Sequence, residues 1–174
     1  MNHKRLKELQ EIYRRAERDG MVKVGIPADP SSGIAMEWCW AKRLSSSYAR
    51  LANFCVCGGG INFGDVVEFS EQPEPDVILK EFVRVVSRGS EQAMVAYATR
   101  DEVADASESM REQIRQRHRE ILQYLDDFRR TGAVLAWEGT EPGLLCIALP
   151  VGTTEEEVDR LLSCCPHLVD PHWL

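Results

Sequence analysis

Apolar or aromatic side chains at Val103, Ala106, Met110, Ile114, His118, Ile121, Leu122, Leu125 and Phe128 recur three or four positions apart. That spacing commits the segment from Asp105 to Gly132 to one long helix with a single apolar stripe, while Arg111, Glu112, Arg115, Arg119 and Glu120 lie elsewhere on it. A stripe of this length must be covered by other parts of the chain. The helix start is marked three ways: Asp105, Ser107, or Ser109 with Glu112 as a capping box. The end is marked once. Arg129 and Arg130 sit where the helix dipole favours cations, and Gly132 offers the left-handed residue that closes helices.

The flanking segments supply a cover. A strand is expected at Ala93 to Ala98 before the helix. After it, Val134 to Glu138 and Leu144 to Val151 read as a hairpin joined by the five residues Gly139 to Gly143. Thr153 or Thr154, each with a Glu three positions on, opens a second helix through Val158, Leu161, Leu162 and Cys165, with Glu155, Glu156 and Glu157 in its first turn and Pro166 as its stop. With a last strand near the C-terminus, this order is that of a ferredoxin-like α/β sandwich, whose two helices pack on one face of an antiparallel sheet.

Upstream, Leu6, Leu9, Ile12, Tyr13 and Ala16 predict a short amphipathic N-terminal helix stopped at Gly20. Val22 to Ile26 reads as a brief strand, and Pro27 to Gly33 as a linker. From Ile34 the period becomes two. Ile34, Met36, Trp38 and Trp40 alternate with Ala35, Glu37, Cys39 and Ala41, so one side of that strand is heavily aromatic. Further extended runs are expected at Tyr48 to Val56, Phe63 to Phe69 and Glu81 to Ser87, with Gly58 to Gly60 as a break and an acidic, Pro-containing loop from Glu71 to Asp76. Short strands at this spacing predict a small antiparallel β-barrel or a strongly bent sheet. The whole is an α+β chain in three segments: 1–33, an N-terminal helix and linker; 34–92, barrel-like; and 93–174, ferredoxin-like.

Several of these signatures together resemble an uncharacterised bacterial family of unknown function. They are Glu37-Trp38, Tyr48 with Asn53, Gly64 to Val67, Phe82 to Val86, Trp137 to Gly139, and the apolar strand Leu144 to Pro150. The resemblance spans about residues 36–165. It implies architecture, a small β-barrel with a Gly-Asp-Val-Val strand followed by a ferredoxin-like βαββα half, and it implies no activity.

Composition narrows the functional classes. A hydrophobic fraction of 44% with 28% charged residues is too apolar for disorder. The longest apolar run, Leu144 to Leu149, is far short of the ~20 residues that cross a bilayer. The charged N-terminus carries no apolar signal-peptide core, so a cytoplasmic location is expected, and with it six cysteines as unpaired, mostly buried thiols. The net charge of −7 is unevenly spread: residues 61–110 hold eleven acidic and four basic side chains, and residues 133–174 hold seven and one. Such a surface repels nucleic acid and anionic lipid and attracts a basic protein; its bland reading is a solvated face.

Candidate chemistry is sparse. Cys55-Val-Cys57 before three glycines is a soft-metal or redox pattern, but the second ligand pair is not evident and no C-x-x-C occurs, so buried thiols are the reading and no metal is assigned. His167, Asp170 and His172 fall in a Pro-flanked tail. Gly58, Gly60 and Gly64 are misspaced for a dinucleotide site, and a strand follows them. His118 sits in the apolar stripe as a core histidine, Asp65 fixes a turn, and Trp38, Trp40, Trp137 and Trp173 are core or interface anchors.

No cofactor and no catalytic residue follow from this. The expectation is a non-enzymatic protein-binding module, in its sharp form an acidic inhibitor, anti-defence or immunity-type protein that blocks a basic, nucleic-acid-binding surface of a partner. Its binding face would comprise Asp65, Glu68, Glu71, Glu74, Asp76, Glu138, Glu141, Glu155 and Glu156, with no direct nucleic acid or membrane contact. The alternative is a small-molecule or thiol-based enzymatic domain with a pocket between the two subdomains, lined by Trp38, Trp40, Cys55 and Cys57. The oligomeric state stays open, a dimer included.

Overall fold

A computed structural model describes residues 15–16, 19–74, 77–165, 167–168 and 170–173. The expected N-terminal helix lies almost wholly outside these residues. The chain divides at Ser87/Arg88 into two compact units.

The first unit is a closed barrel of five strands, β1 (Met21–Pro27), β2 (Met36–Arg43), β3 (Tyr48–Leu51), β4 (Val66–Glu74) and β5 (Val77–Ser87). Each strand pairs antiparallel with the next. Closure comes from a parallel contact of β1 with β5 at Gly25 and Glu81. The segment Val22 to Ile26, expected as a brief strand but placed outside the barrel-like segment, is a full barrel stave: Val22, Val24 and Ile26 alternate into the core.

Inside the barrel lie the small residues of β2. Cys39 and Ala41 are fully buried, whereas Trp38 is 39% exposed. Side chains alternate along a strand, so the aromatic row of β2 faces outward. A barrel of only five strands is too narrow for two indoles on one stave, and Cys39, Ala41 and Ala49 fit where Trp does not. Outside, Trp38 lies over β1 at Gly25, where any Cβ would come within 3.1 Å of its ring, and Lys23 stands 5.1 Å above the Trp40 ring.

Two expected strands have different bounds. The run from Tyr48 ends at Leu51 because Asn53 leaves the ladder, its Oδ1 accepting the Trp40 amide at 2.6 Å, and the chain then turns Phe54 and Cys55 inward. The Gly64-Asp65 pair precedes β4 rather than lying in it. Gly64 takes φ 79°, and buried Asp65 accepts the Asn62 amide at 3.0 Å, closing a turn. The acidic segment after Glu71 is not a loop at its start: β4 continues through Pro73 to Glu74, paired with the beginning of β5.

The second unit is an antiparallel sheet in the order β7-β8-β6-β9, with β6 at Glu91–Ala96, β7 at Ala136–Glu141, β8 at Leu144–Leu149 and β9 at Asp170–Trp173. A short helix, α1 (Arg100–Ala104), takes Val103 out of the stripe, and the expected long helix follows as α2 (Glu108–Thr131). Asp105 ends α1, and Ser107 caps α2 by accepting the Met110 amide. Gly132 closes α2 at φ 80°. α3 (Glu155–Leu162) starts at Thr154, whose hydroxyl and the Glu157 carboxylate form a reciprocal capping box.

The stripe of α2 is covered as its pattern requires. Ile114, Ile121 and Leu125 share one buried cluster with Val95 and Tyr97 of the β6 segment, Leu145, Ile147 and Leu149 of β8, and Val158 and Leu162 of α3. His118 stacks on Tyr97, ring centroids 5.1 Å apart. The hairpin loop expected at five residues is tighter, because β7 runs on to Glu141 through a register shift at Gly139. Gly143 then turns at φ 93° with no room for a Cβ, which would meet the Ala98 carbonyl at 2.9 Å.

Candidate functional site

The densest arrangement of chemically versatile side chains in the first unit gathers where β2 meets the loop from Ala52 to Asp65. Glu37 and Cys39 are two apart on β2 and so face the same, inward side. From the opposite direction the loop brings Cys55, 2% exposed, against fully buried Cys39. The two are joined as a disulfide, with Cα atoms 6.5 Å apart. The expectation of six unpaired thiols is thus corrected: the inward turn at Phe54 carries Cys55 across the barrel interior to β2. Cys57 is half-buried and not part of the pair. β3 ends at Leu51, so strand alternation does not set Cys55 and Cys57 on one face.

Glu37 completes the group. One carboxylate oxygen, Cys39 Sγ and Cys55 Sγ all lie within 4.8 Å of one another. The carboxylate also accepts the amides of Val56 at 3.2 Å and Cys57 at 2.7 Å. On the far side of the loop the Cys57 carbonyl accepts the Asp29 amide at 2.6 Å. Asp29 is held in its own turn, where the Ser31 hydroxyl and then the Ser31 amide keep its carboxyl below the usual range. Gly58 packs so closely on Ile26 that a Cβ would approach its Cγ2 to 2.8 Å. The glycine run, misread as a mere break, lets the loop close down on the barrel core.

The anticipated pocket of Trp38, Trp40, Cys55 and Cys57 is not assembled on one surface. Cys55 lies inside the barrel, while Trp38 and Trp40 belong to the outward row of β2. Glu37 and Cys39 are the members that sequence reasoning missed. Their signal was present in the small-residue row of β2, opposite the aromatic row.

The acidic residues separate into three kinds. Asp65 is fully buried and serves its turn. Glu68 pairs with Arg84 at 2.7 Å and Glu71 with Arg43 at 2.8 Å, and the Arg43 hydrogen bond holds the Glu71 carboxyl below its usual range. Exposed Glu155 and Glu156, in the first turn of α3, have no ion-pair partner among the described residues; Glu138 is exposed on β7. Residue Asp76 and the side chains of Glu74 and Glu141 lie outside the described residues. Beside α3 opens a cleft of about 400 Å³ whose walls include Leu149, Pro150, Val151 and Leu161, with Glu157 at its edge.

Of the tail residues His167, Asp170 and His172, one has a described side chain. His167 Nε2 lies 2.9 Å from Glu120 on α2, and the side chains of Asp170, His172 and Trp173 lie outside the described residues. Trp137 packs partly buried against the core of the second unit. No helix among the described residues is long and apolar enough to cross a membrane.

No family model matches the chain, and no curated protein does. Among solved structures, a hypothetical protein from Neisseria gonorrhoeae is similar over 88% of this chain and 92% of its own, with a TM-score of 0.51 and 9% identity. At that identity the likeness concerns the fold alone, and it is consistent with an uncharacterised family.

Proposed function

We propose that the chain is a non-enzymatic binding module whose α3 face engages a basic segment of a partner protein. The observation that supports this most is the pairing of two exposed carboxylates that have no ion-pair partner among the described residues, Glu155 and Glu156, with an adjacent cleft walled by Val151 and Leu161. A partner segment carrying Lys or Arg around one apolar side chain matches that surface in both charge and shape. In its sharpest form the module is an inhibitor or immunity-type protein that occupies a nucleic-acid-binding surface. The strand order β9-β6-β8-β7, with α2 and α3 sharing one core cluster, supports a ferredoxin-like reading of the second unit.

The test is a backbone amide NMR titration of the full chain with a Lys- and Leu-rich peptide. Shifts confined to residues 149–161, an affinity that weakens steeply with salt, and loss of binding in E155K/E156K are expected. Shifts elsewhere, or affinity indifferent to salt, would remove the reading.

A further inference from the structure

We propose that, when the Cys39–Cys55 bond is reduced, Glu37, Cys39 and Cys55 form a three-ligand site for a soft divalent cation, with zinc the ion that fits. The inference stands apart from the acidic face of α3, since every residue it uses lies in the barrel.

The carboxylate that fastens the loop also stands beside both sulfurs. Here Glu37 is within 4.8 Å of each. It is also aimed: the Val56 and Cys57 amides hold its two oxygens, the kind of outer support that fixes a metal ligand's orientation. In a tetrahedral zinc site with Zn–S of about 2.3 Å and Zn–O of about 2.0 Å, neighbouring ligand atoms stand roughly 3.5–4 Å apart. The carboxylate therefore needs only a small approach, and the sulfurs a small separation once their bond is broken. Two thiolates and one carboxylate suit zinc better than calcium or magnesium, which take oxygen donors. Cys39 and Cys55 are buried in an apolar interior, where thiolates need a cation beside them.

The chemistry balances in two steps. A dithiol reductant delivers two electrons and two protons to the Cys39–Cys55 bond, becoming a disulfide itself and leaving two thiols. Zinc then displaces those two protons to solvent, bonds both thiolates and Glu37, and keeps water at its fourth position. A disulfide oxidant that takes the two electrons, becoming a dithiol with two protons from solvent, re-forms the Cys39–Cys55 bond and releases the ion, so the site exists only in the reduced protein.

The full chain, reduced with a phosphine and desalted without oxygen, is titrated with Co²⁺ and then Zn²⁺. The expected result is one equivalent of Co²⁺ with sulfur-to-cobalt charge-transfer absorption, displaced by Zn²⁺, and none in the oxidised chain. Cys57→Ser should keep the absorption, because Cys57 is not in the cluster. Cys39→Ser and Cys55→Ser should lose it, and Glu37→Gln should bind at least about tenfold more weakly. A measurement without variants guards against misfolding: Zn²⁺ should protect Cys39 and Cys55 of the reduced wild-type chain from alkylation, read by mass spectrometry. Absence of charge-transfer absorption in the reduced, folded chain would overturn the proposal. So would its survival in Cys39→Ser, its loss in folded Cys57→Ser, or alkylation of both cysteines unaffected by Zn²⁺.

Discussion

Glu37 accepts the amide of Cys57 at 2.7 Å across a separation of 20 residues, and with it the amide of Val56. These bonds fasten the loop that carries Cys55 to the stave that carries Cys39. Glu37→Ala leaves two amides under the loop without their acceptor, at a cost of about 1–3 kcal/mol. Urea unfolding should show the midpoint falling with the slope unchanged; an unmoved midpoint would mean that the loop holds without Glu37.

The glycine run permits a paired test. At Gly58 an added Cβ meets Ile26 Cγ2 at 2.8 Å, while at Gly59 it meets nothing. Gly58→Ala should destabilise by about 1–3 kcal/mol through overpacking, and Gly59→Ala should stay within about 0.5 kcal/mol of the parent. Equal thermal midpoints for the two variants would contradict the close fit of loop to barrel.

Leu125 is 1% exposed in the buried stripe of α2. Leu125→Ala should cost about 2–5 kcal/mol, the range for a large apolar side chain lost from a packed core. Gln123→Ala, on the exposed side of the same turn, is the control and should be near neutral in calorimetry.

Acid should loosen the helix starts first. The Thr99 amide, and after it Arg117, hold the Glu102 carboxyl below the usual carboxylate range. A lowered folded pKa means that the stabilisation is complete above the unfolded pKa and is lost as the pH falls through the folded one. The melting-temperature gap between wild type and Glu102→Gln should therefore be widest near neutrality and close in acid, once the Glu102 carboxyl is protonated in the folded chain. At the same cap, Thr99→Ala should cost about 1 kcal/mol.

The remaining cysteines should rank by environment in alkylation at mildly alkaline pH. Cys164 is exposed and should react first. Its neighbour Cys165 is buried, and burial with the adjacent Cys164 pushes its thiol up to about 11, so it should resist, as should fully buried Cys146. Peptide mapping that found Cys165 modified before Cys164 would contradict the packing of α3 against the sheet.

What the sequence disclosed follows from periodicity, and what it concealed follows from contacts distant along the chain. The stripe from Val103 to Phe128 and the cap at Gly132 were legible because an amphipathic face and a left-handed stop are local patterns. Which of the three marked starts holds was not, since the apolar spacing runs unbroken through Asp105-Ala106-Ser107, where Asp105 ends one helix and the Ser107 hydroxyl starts the next. On β2 the alternation was readable but its orientation was not. Which row faces in depends on barrel width, a property of five strands together, and the narrow interior takes Cys39 and Ala41 in place of the indoles. The Glu37, Cys39 and Cys55 group stayed hidden for the same reason, because nothing near Cys55 in sequence announces that Asn53 leaves the ladder and turns it inward.

An odd number of up-and-down strands carries a further consequence. It sets β1 and β5 side by side running the same way at Gly25 and Glu81, so the first unit joins into a ring there, while the hairpin of Glu71–Glu74 with Val77–Lys80 runs past the ring paired with itself. Among the described strands, vacant backbone edges therefore lie on that hairpin and on the outer flanks of β7 and β9. A fibril seed or borrowed strand would dock on one of these edges, and Pro73 already stands as a guard on the first of them.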